Sequence, residues 1–116
     1  MKYILFTLFF VGWSITLTHA QQEKKRVIVL TDIEADPDDT QSLIRFLLYS
    51  NQWDIEGLVA TTSIHQKTSV FPASIHQVLG AYKKVYPNLS LHEKGFPSHE
   101  HLSKLVKKGL PVYGMQ

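Results

Sequence analysis

The chain has 116 residues, no cysteine and a formal charge of +2, from 12 Lys and Arg against 10 Asp and Glu. Those numbers exclude a disulfide framework, a Cys-ligated zinc site and a thiol nucleophile. They also supply no field for gripping a phosphate backbone, so no nucleic-acid partner is expected. With 44% hydrophobic and 19% charged residues the chain is globular rather than disordered, and its length fits at most one domain.

Residues 1–20 read as a signal peptide. Lys2 gives a positive start, Tyr3 to Leu17 is an apolar run, and Thr18-His19-Ala20 places small residues around a cleavage site. A membrane anchor is the alternative, since about 20 apolar residues span a bilayer. The run here is shorter and polar Gln21-Gln22-Glu23-Lys24-Lys25 follows at once, so cleavage, export to the periplasm or beyond, and no membrane association afterwards are expected. A secreted chain without cysteine must be held by its core, a metal or partner contacts.

Arg26 to Thr31 is a continuous β-branched run, the pattern of a strand buried on both faces of a parallel sheet. Residues 40–50 carry Leu43, Ile44, Leu47 and Leu48 at helical spacing, with Pro37, Asp38 and Asp39 as start residues. Residues 55–62 read as a second buried strand, completing a βαβ unit with a right-handed crossover. A polar loop spans 63–70. A second helix is predicted over 72–86, ended by Pro87-Asn88, and a short third strand over 89–92. A third helix is predicted over 98–108, with Ser98 as N-cap and Gly109 just past its end. The fold class is therefore α/β, the start of an open, mainly parallel sheet with helices on both faces. Two or three strands do not complete such a sheet, and the apolar ending Pro111-Val112-Tyr113-Gly114-Met115-Gln116 has no tail-like character. Residues 21–116 are read as the N-terminal part of a longer domain.

Five acids fall between positions 32 and 39: Asp32, Glu34, Asp36, Asp38 and Asp39. Like charges so close repel one another. They follow a buried strand and precede a helix, at the edge where open α/β sheets bind ligands. Several carboxylates on a tight loop suit a hard divalent cation. The plainer reading is a solvated turn in which Asp38 or Asp39 caps the helix. An EF-hand is excluded because Pro37 stands where Gly is required and Leu43 where the bidentate Glu belongs.

The run Val27-Ile28-Val29-Leu30-Thr31-Asp32-Ile33-Glu34-Ala35-Asp36-Pro37-Asp38-Asp39 resembles the N-terminal signature of the nucleoside hydrolase superfamily, a strand ending in Asp-x-Asp-Pro-Gly-x-Asp-Asp. With Gln41 to Asn51 and Asp54 to Ser63, it is closer still to a branch of secreted bacterial proteins whose nucleoside-hydrolase-like domain is described as cellulose-binding. The similarity covers residues 26–115, in three blocks in order. The resemblance implies a Ca²⁺ cofactor and hydrolysis of an N-glycosyl or related glycosyl bond. Asp38 matches the general base and Asp39 a Ca²⁺ ligand. Asp32 matches an acid that lines the site, counted with the metal set, and Glu34 stands at a Ca²⁺-ligating Asp, one methylene longer. Ala35-Asp36 replaces the family's Pro-Gly, with Pro37 one step later. The second strand runs into Thr62-Ser63-Ile64-His65-Gln66, without the Asn that touches ribose in the family. The remaining ligands and the leaving-group acid lie later in the family, so residues 1–116 alone are expected to be inactive.

Two function classes follow. One is a hydrolase acting on a nucleoside or carbohydrate, for which Asp38 and Asp39 speak. The other is a non-catalytic carbohydrate- or cellulose-binding protein, for which the missing Asn and Pro-Gly speak. His99 and His101 would point about 200° apart on a helix and cannot share a metal there. Lys104, Lys107 and Lys108 suit a helix C-terminus. Trp53, between a helix and a strand, is read as a packing residue, although polysaccharide surfaces also use exposed aromatics.

Overall fold

A computed structural model describes residues 23–114. The signal peptide expected at residues 1–20 lies outside these residues. The elements are β1 (Lys25–Thr31), α1 (Pro37–Leu48), a 3₁₀ turn (Ser50–Gln52), β2 (Trp53–Ala60), α2 (Pro72–His92), α3 (His99–Leu105) and β3 (Val106–Lys108). The three strands form one parallel sheet in the order β1-β2-β3. The predicted βαβ unit is therefore present, with β1 and β2 as neighbours and α1 as the crossover.

Strand order advances in one direction, so right-handed crossovers place successive helices on the same side of the sheet. One buried cluster accordingly joins Leu43 and Leu47 of α1, Ile75, Val78, Leu79 and Tyr82 of α2, Leu102 of α3, and Ile55, Leu58 and Ala60 of β2. Val27 and Val29 pack against it from β1. The opposite face carries Ile28 and Leu30, 60% and 67% exposed. Parallel sheets are normally covered on both faces, which accounts for an uninterrupted apolar run in a strand with one side bare among the described residues.

Two elements differ from the sequence expectation. The helix expected to stop at Pro87 runs on to His92, so residues 89–92 are helical and not a strand. Pro87 removes one backbone donor, but Tyr86 and Leu89 on either side pack onto the core and hold the helix through it. The Tyr82 and Tyr86 rings lie 5.9 Å apart on the same face. The helix expected over 98–108 ends at Leu105, and Val106–Lys108 becomes the third strand. Ser98 is its N-cap as expected, its hydroxyl accepting from the His101 N–H at 3.1 Å.

The far edge of β2 carries unpaired backbone groups, and pairing Leu58, Val59 and Ala60 with Val106, Lys107 and Lys108 satisfies them. Gly109 then donates its N–H to Ala60 O at 2.8 Å. A Cβ there would lie 2.6 Å from that oxygen. Gly109 thus serves a close backbone approach and not a helix end.

The β1–β2 register slips between Val27 and Ile28, where Ile55 and Gly57 take successive partners and Glu56 is left over. This bulge frees Glu56 to meet Arg26. Arg26 Nε donates to Glu56 Oε1, and its second nitrogen donates to Oε2 at 2.7 Å. That fork is the geometry in which Arg binds a carboxylate best.

The hydrogen-bonded Arg26 guanidinium holds the Glu56 carboxyl below its ordinary value of 4.5. A depressed folded-state pKa stabilises the fold above the unfolded value and loses that effect as pH falls through the folded value. Glu56→Gln should therefore lower the urea midpoint slightly at pH 7. The gap to the parent protein should close as the pH is taken from 4.5 downwards, and should also narrow in 1 M salt, on the order of a 3 Å screening length. A gap independent of pH would mean that Glu56 acts through packing at the bulge.

Candidate functional site at the carboxyl edge

Parallel strands deliver their following loops to the same edge. Residues 32–36 after β1 and 61–71 after β2 therefore meet. Ile33 is fully buried and anchors the first loop. Gln66, also buried, donates its side-chain N–H to the carbonyls of Asp32 and Ile33, both at 3.4 Å. The Ser63 hydroxyl accepts from the N–H groups of His65 and Gln66 at 3.0 and 3.2 Å, which forms the turn that points Gln66 inward. The chain after β3 joins this edge as well. Thr62 Oγ1 donates to Val112 O at 3.1 Å, and Lys67 Nζ lies 6.0 Å from the Tyr113 ring centroid, within cation–π range.

The five acids of the first loop are sorted into separate jobs. Asp36 is the N-cap residue of α1, and its N–H donates to Asp39 Oδ2 at 3.0 Å. One oxygen of Asp39 thus closes the helix start, as the capping reading anticipates. Asp32 and Asp39 line one pocket of about 260 Å³ beside Thr31 and Ser42, along β1 and the first turns of α1. Asp38 is exposed on the first turn of α1 at the same edge.

Glu34 goes elsewhere. It has a φ of 80°, in a turn closed by the Ala35 N–H on Asp32 O at 2.8 Å. This is the third position of a type II turn, which favours Gly or Asn. Its side chain borders a second, open cleft of about 670 Å³, with His65, Lys67, Thr68, Ser69 and Phe71 from the loop after β2. Of the three residues expected to ligate a metal, Asp32 and Asp39 share a pocket and Glu34 lines the other.

Among the described residues no group of three or more His, Cys, Asp or Glu side chains is gathered to hold a metal ion. Two carboxylates, one already accepting a backbone N–H, fall short of the roughly six to eight oxygens that Ca²⁺ takes. Residues 23–114 alone do not fit that ion.

The second cleft is the feature that motif reading missed. Its signal was present: a polar run over 63–70 directly after a buried strand occupies the same edge position as the acidic loop. Lys67, Thr68 and Ser69 carry no catalytic signature, and only the turn around Ser63 and Gln66 brings them against Glu34.

The turn geometry makes a measurable claim about Glu34. A non-glycine residue in the left-handed region costs about 1–2 kcal/mol, and glycine's added freedom in the unfolded chain returns about 0.5–1 kcal/mol of that. Glu34→Gly should stabilise the protein by roughly 0.5–1 kcal/mol in urea unfolding, and Glu34→Ile should destabilise it by about 1–2 kcal/mol. A destabilising Glu34→Gly would mean that the carboxylate makes contacts worth more than the strain.

Comparison with known proteins matches this arrangement. A family model described as "Cellulose-binding Sde182, nucleoside hydrolase-like domain" matches residues 26–116. The solved structure of a nucleoside hydrolase-related hypothetical protein from Saccharophagus degradans, described as associated with carbohydrate metabolism, aligns with a TM-score of 0.77 at 43% identity. The alignment covers 80% of this chain and 23% of that one. Comparison with curated proteins gives no match. The parallel sheet with an acidic loop at its carboxyl edge, and a family model spanning nearly the whole described chain, lead to one conclusion: this chain belongs to the nucleoside hydrolase-like domain family of the cellulose-binding Sde182 proteins.

Proposed function

We propose that the carboxyl edge of this sheet is the sugar site of a carbohydrate-handling, nucleoside-hydrolase-like protein. The observation that carries the reading is the meeting of Asp32 and Asp39 in one pocket beside Ser42, next to the polar cleft after β2. Carboxylates accept strongly from sugar hydroxyls, through short charge-assisted hydrogen bonds. The Ser and Thr hydroxyls of the neighbouring cleft donate and accept. Phe71, 40% exposed there, offers an apolar face to the C–H side of a pyranose. The family's cellulose-binding description and the neighbour's link to carbohydrate metabolism support a sugar as ligand.

A second reading adds turnover, favoured by the position of Asp38. It stands exposed on the first turn of α1, one residue before Asp39, where a carboxylate can take a proton from a water attacking a glycosyl carbon. In this reading Asp32 and Asp39 would also supply two carboxylates to a Ca²⁺ ion, with the other donors coming from outside residues 23–114.

Calorimetry on the full-length protein with soluble nucleosides and glycosides tests both readings. Asp32→Asn and Asp39→Asn should each weaken sugar binding by about tenfold or more, the loss expected for one hydrogen bond to a charged group. Asn at position 39 can still accept from the Asp36 N–H, so the helix start survives. Unchanged affinity in both variants would remove the sugar site from this edge. Asp38→Asn should abolish any turnover and leave sugar binding intact. A calcium titration should give a saturable heat that Asp39→Asn removes. Equal heats in the two proteins would leave the pair as a sugar contact only.

A further inference from the structure

We propose that the protein holds a neutral polysaccharide chain at the opposite, amino-terminal edge of the sheet, on a platform formed by Asn51, Gln52 and Trp53. This site lies apart from the carboxyl-edge pocket and goes beyond the reading above. The segment Tyr49-Ser50-Asn51-Gln52-Trp53 links α1 to β2 and bears two aromatic rings and two amides, with no charged side chain. Trp53 stands outside the buried cluster and is 39% exposed, and Tyr49 is 66% exposed. Trp53, read from its sequence position as a packing residue, thus keeps more than a third of its surface open.

Asn51, Gln52 and Trp53 line a cleft of about 480 Å³ together with Glu23, Lys24 and Lys25, at and just before the start of β1. A cleft of this size suits sugar units lying along a chain. Aromatic faces cover the C–H side of pyranose rings, and amides both donate to and accept from the equatorial hydroxyls between them. Lys24 donates to Gly95 O at 2.8 Å, which occupies one of its ammonium donors.

The platform is rigid, which lowers the ordering cost of binding. The Gln52 N–H donates to Tyr49 O at 3.0 Å, and the Trp53 N–H donates to Ser50 O. Ser50 is fully buried, with Oγ 3.5 Å from the Tyr82 hydroxyl, which itself donates to Pro97 O at 2.8 Å. The turn is thus bolted to α2 and to the loop before α3. Trp53 is held from the other side by its pairing with Lys25 in the sheet.

The test uses the full-length protein. Its retention is measured by depletion onto microcrystalline cellulose, and Trp53 oxidation by mass spectrometry with and without cellohexaose. Trp53→Ala should weaken retention by about tenfold, Trp53→Phe should keep most of it, and cellohexaose should protect Trp53 from oxidation. Lys84→Gln, exposed on α2 and away from both sites, should leave retention unchanged. Wild-type protein that is not retained, or Trp53→Ala retained like wild type, overturns the proposal. So does Trp53 oxidised equally with and without cellohexaose. Retention lost only in Asp32→Asn and Asp39→Asn would overturn the platform while leaving the carboxyl-edge reading in place. Binding to polyuronate instead of cellulose would assign the cleft to its lysines and overturn the neutral ligand.

Discussion

The parallel pairing of β1 with β2 is the constraint on which the molecule depends. Two parallel neighbours must be joined by a crossover, so α1 is required to lie across them and its Leu43 and Leu47 are carried into the core. The same direction of travel delivers both following loops to one edge. The acidic loop and the polar loop after β2 then have no route apart, and Gln66 bridges them through the carbonyls of Asp32 and Ile33. The bulge at Glu56 adjusts this pairing by one residue and turns the extra side chain toward Arg26.

Crowded carboxylates need separation, neutralisation or solvent. This loop uses all three. The dipole of α1 and the backbone N–H of Asp36 receive Asp39. Asp38 stays in water. Glu34 is rotated into the left-handed region and carried to the far cleft. The backbone strain at Glu34 is the cost of that separation, and it lies where two loops form a pocket.

The two ends of the sheet differ in chemistry. The carboxyl edge is built from loops and carries acids, hydroxyls and a lysine. The amino edge holds a short turn with exposed aromatic and amide groups, braced by Ser50 and Tyr82. Loops allow the side chains of a reacting or hydrogen-bonding site to be placed individually, whereas a braced turn presents a fixed surface. One face of β1 between them is bare at Ile28 and Leu30 among the described residues.

Local sequence alone determined the βαβ unit, the capping roles of Ser98 and the acidic turn, and the block pattern that points to the family. Those features depend on residues within a few positions of one another, through hydrophobic period, caps and turn chemistry. Only the tertiary structure decided that Val106–Lys108 is a strand, because its backbone groups take their partners from β2 nearly fifty residues earlier. It carried α2 through Pro87, since packing of Tyr86 and Leu89 outweighs one missing hydrogen bond. It parted Glu34 from Asp32 and Asp39, which a shared motif had grouped, because a backbone angle and not residue type sets where a side chain goes. And it left Trp53 on the surface, because β2 begins there at a sheet edge that no described helix covers.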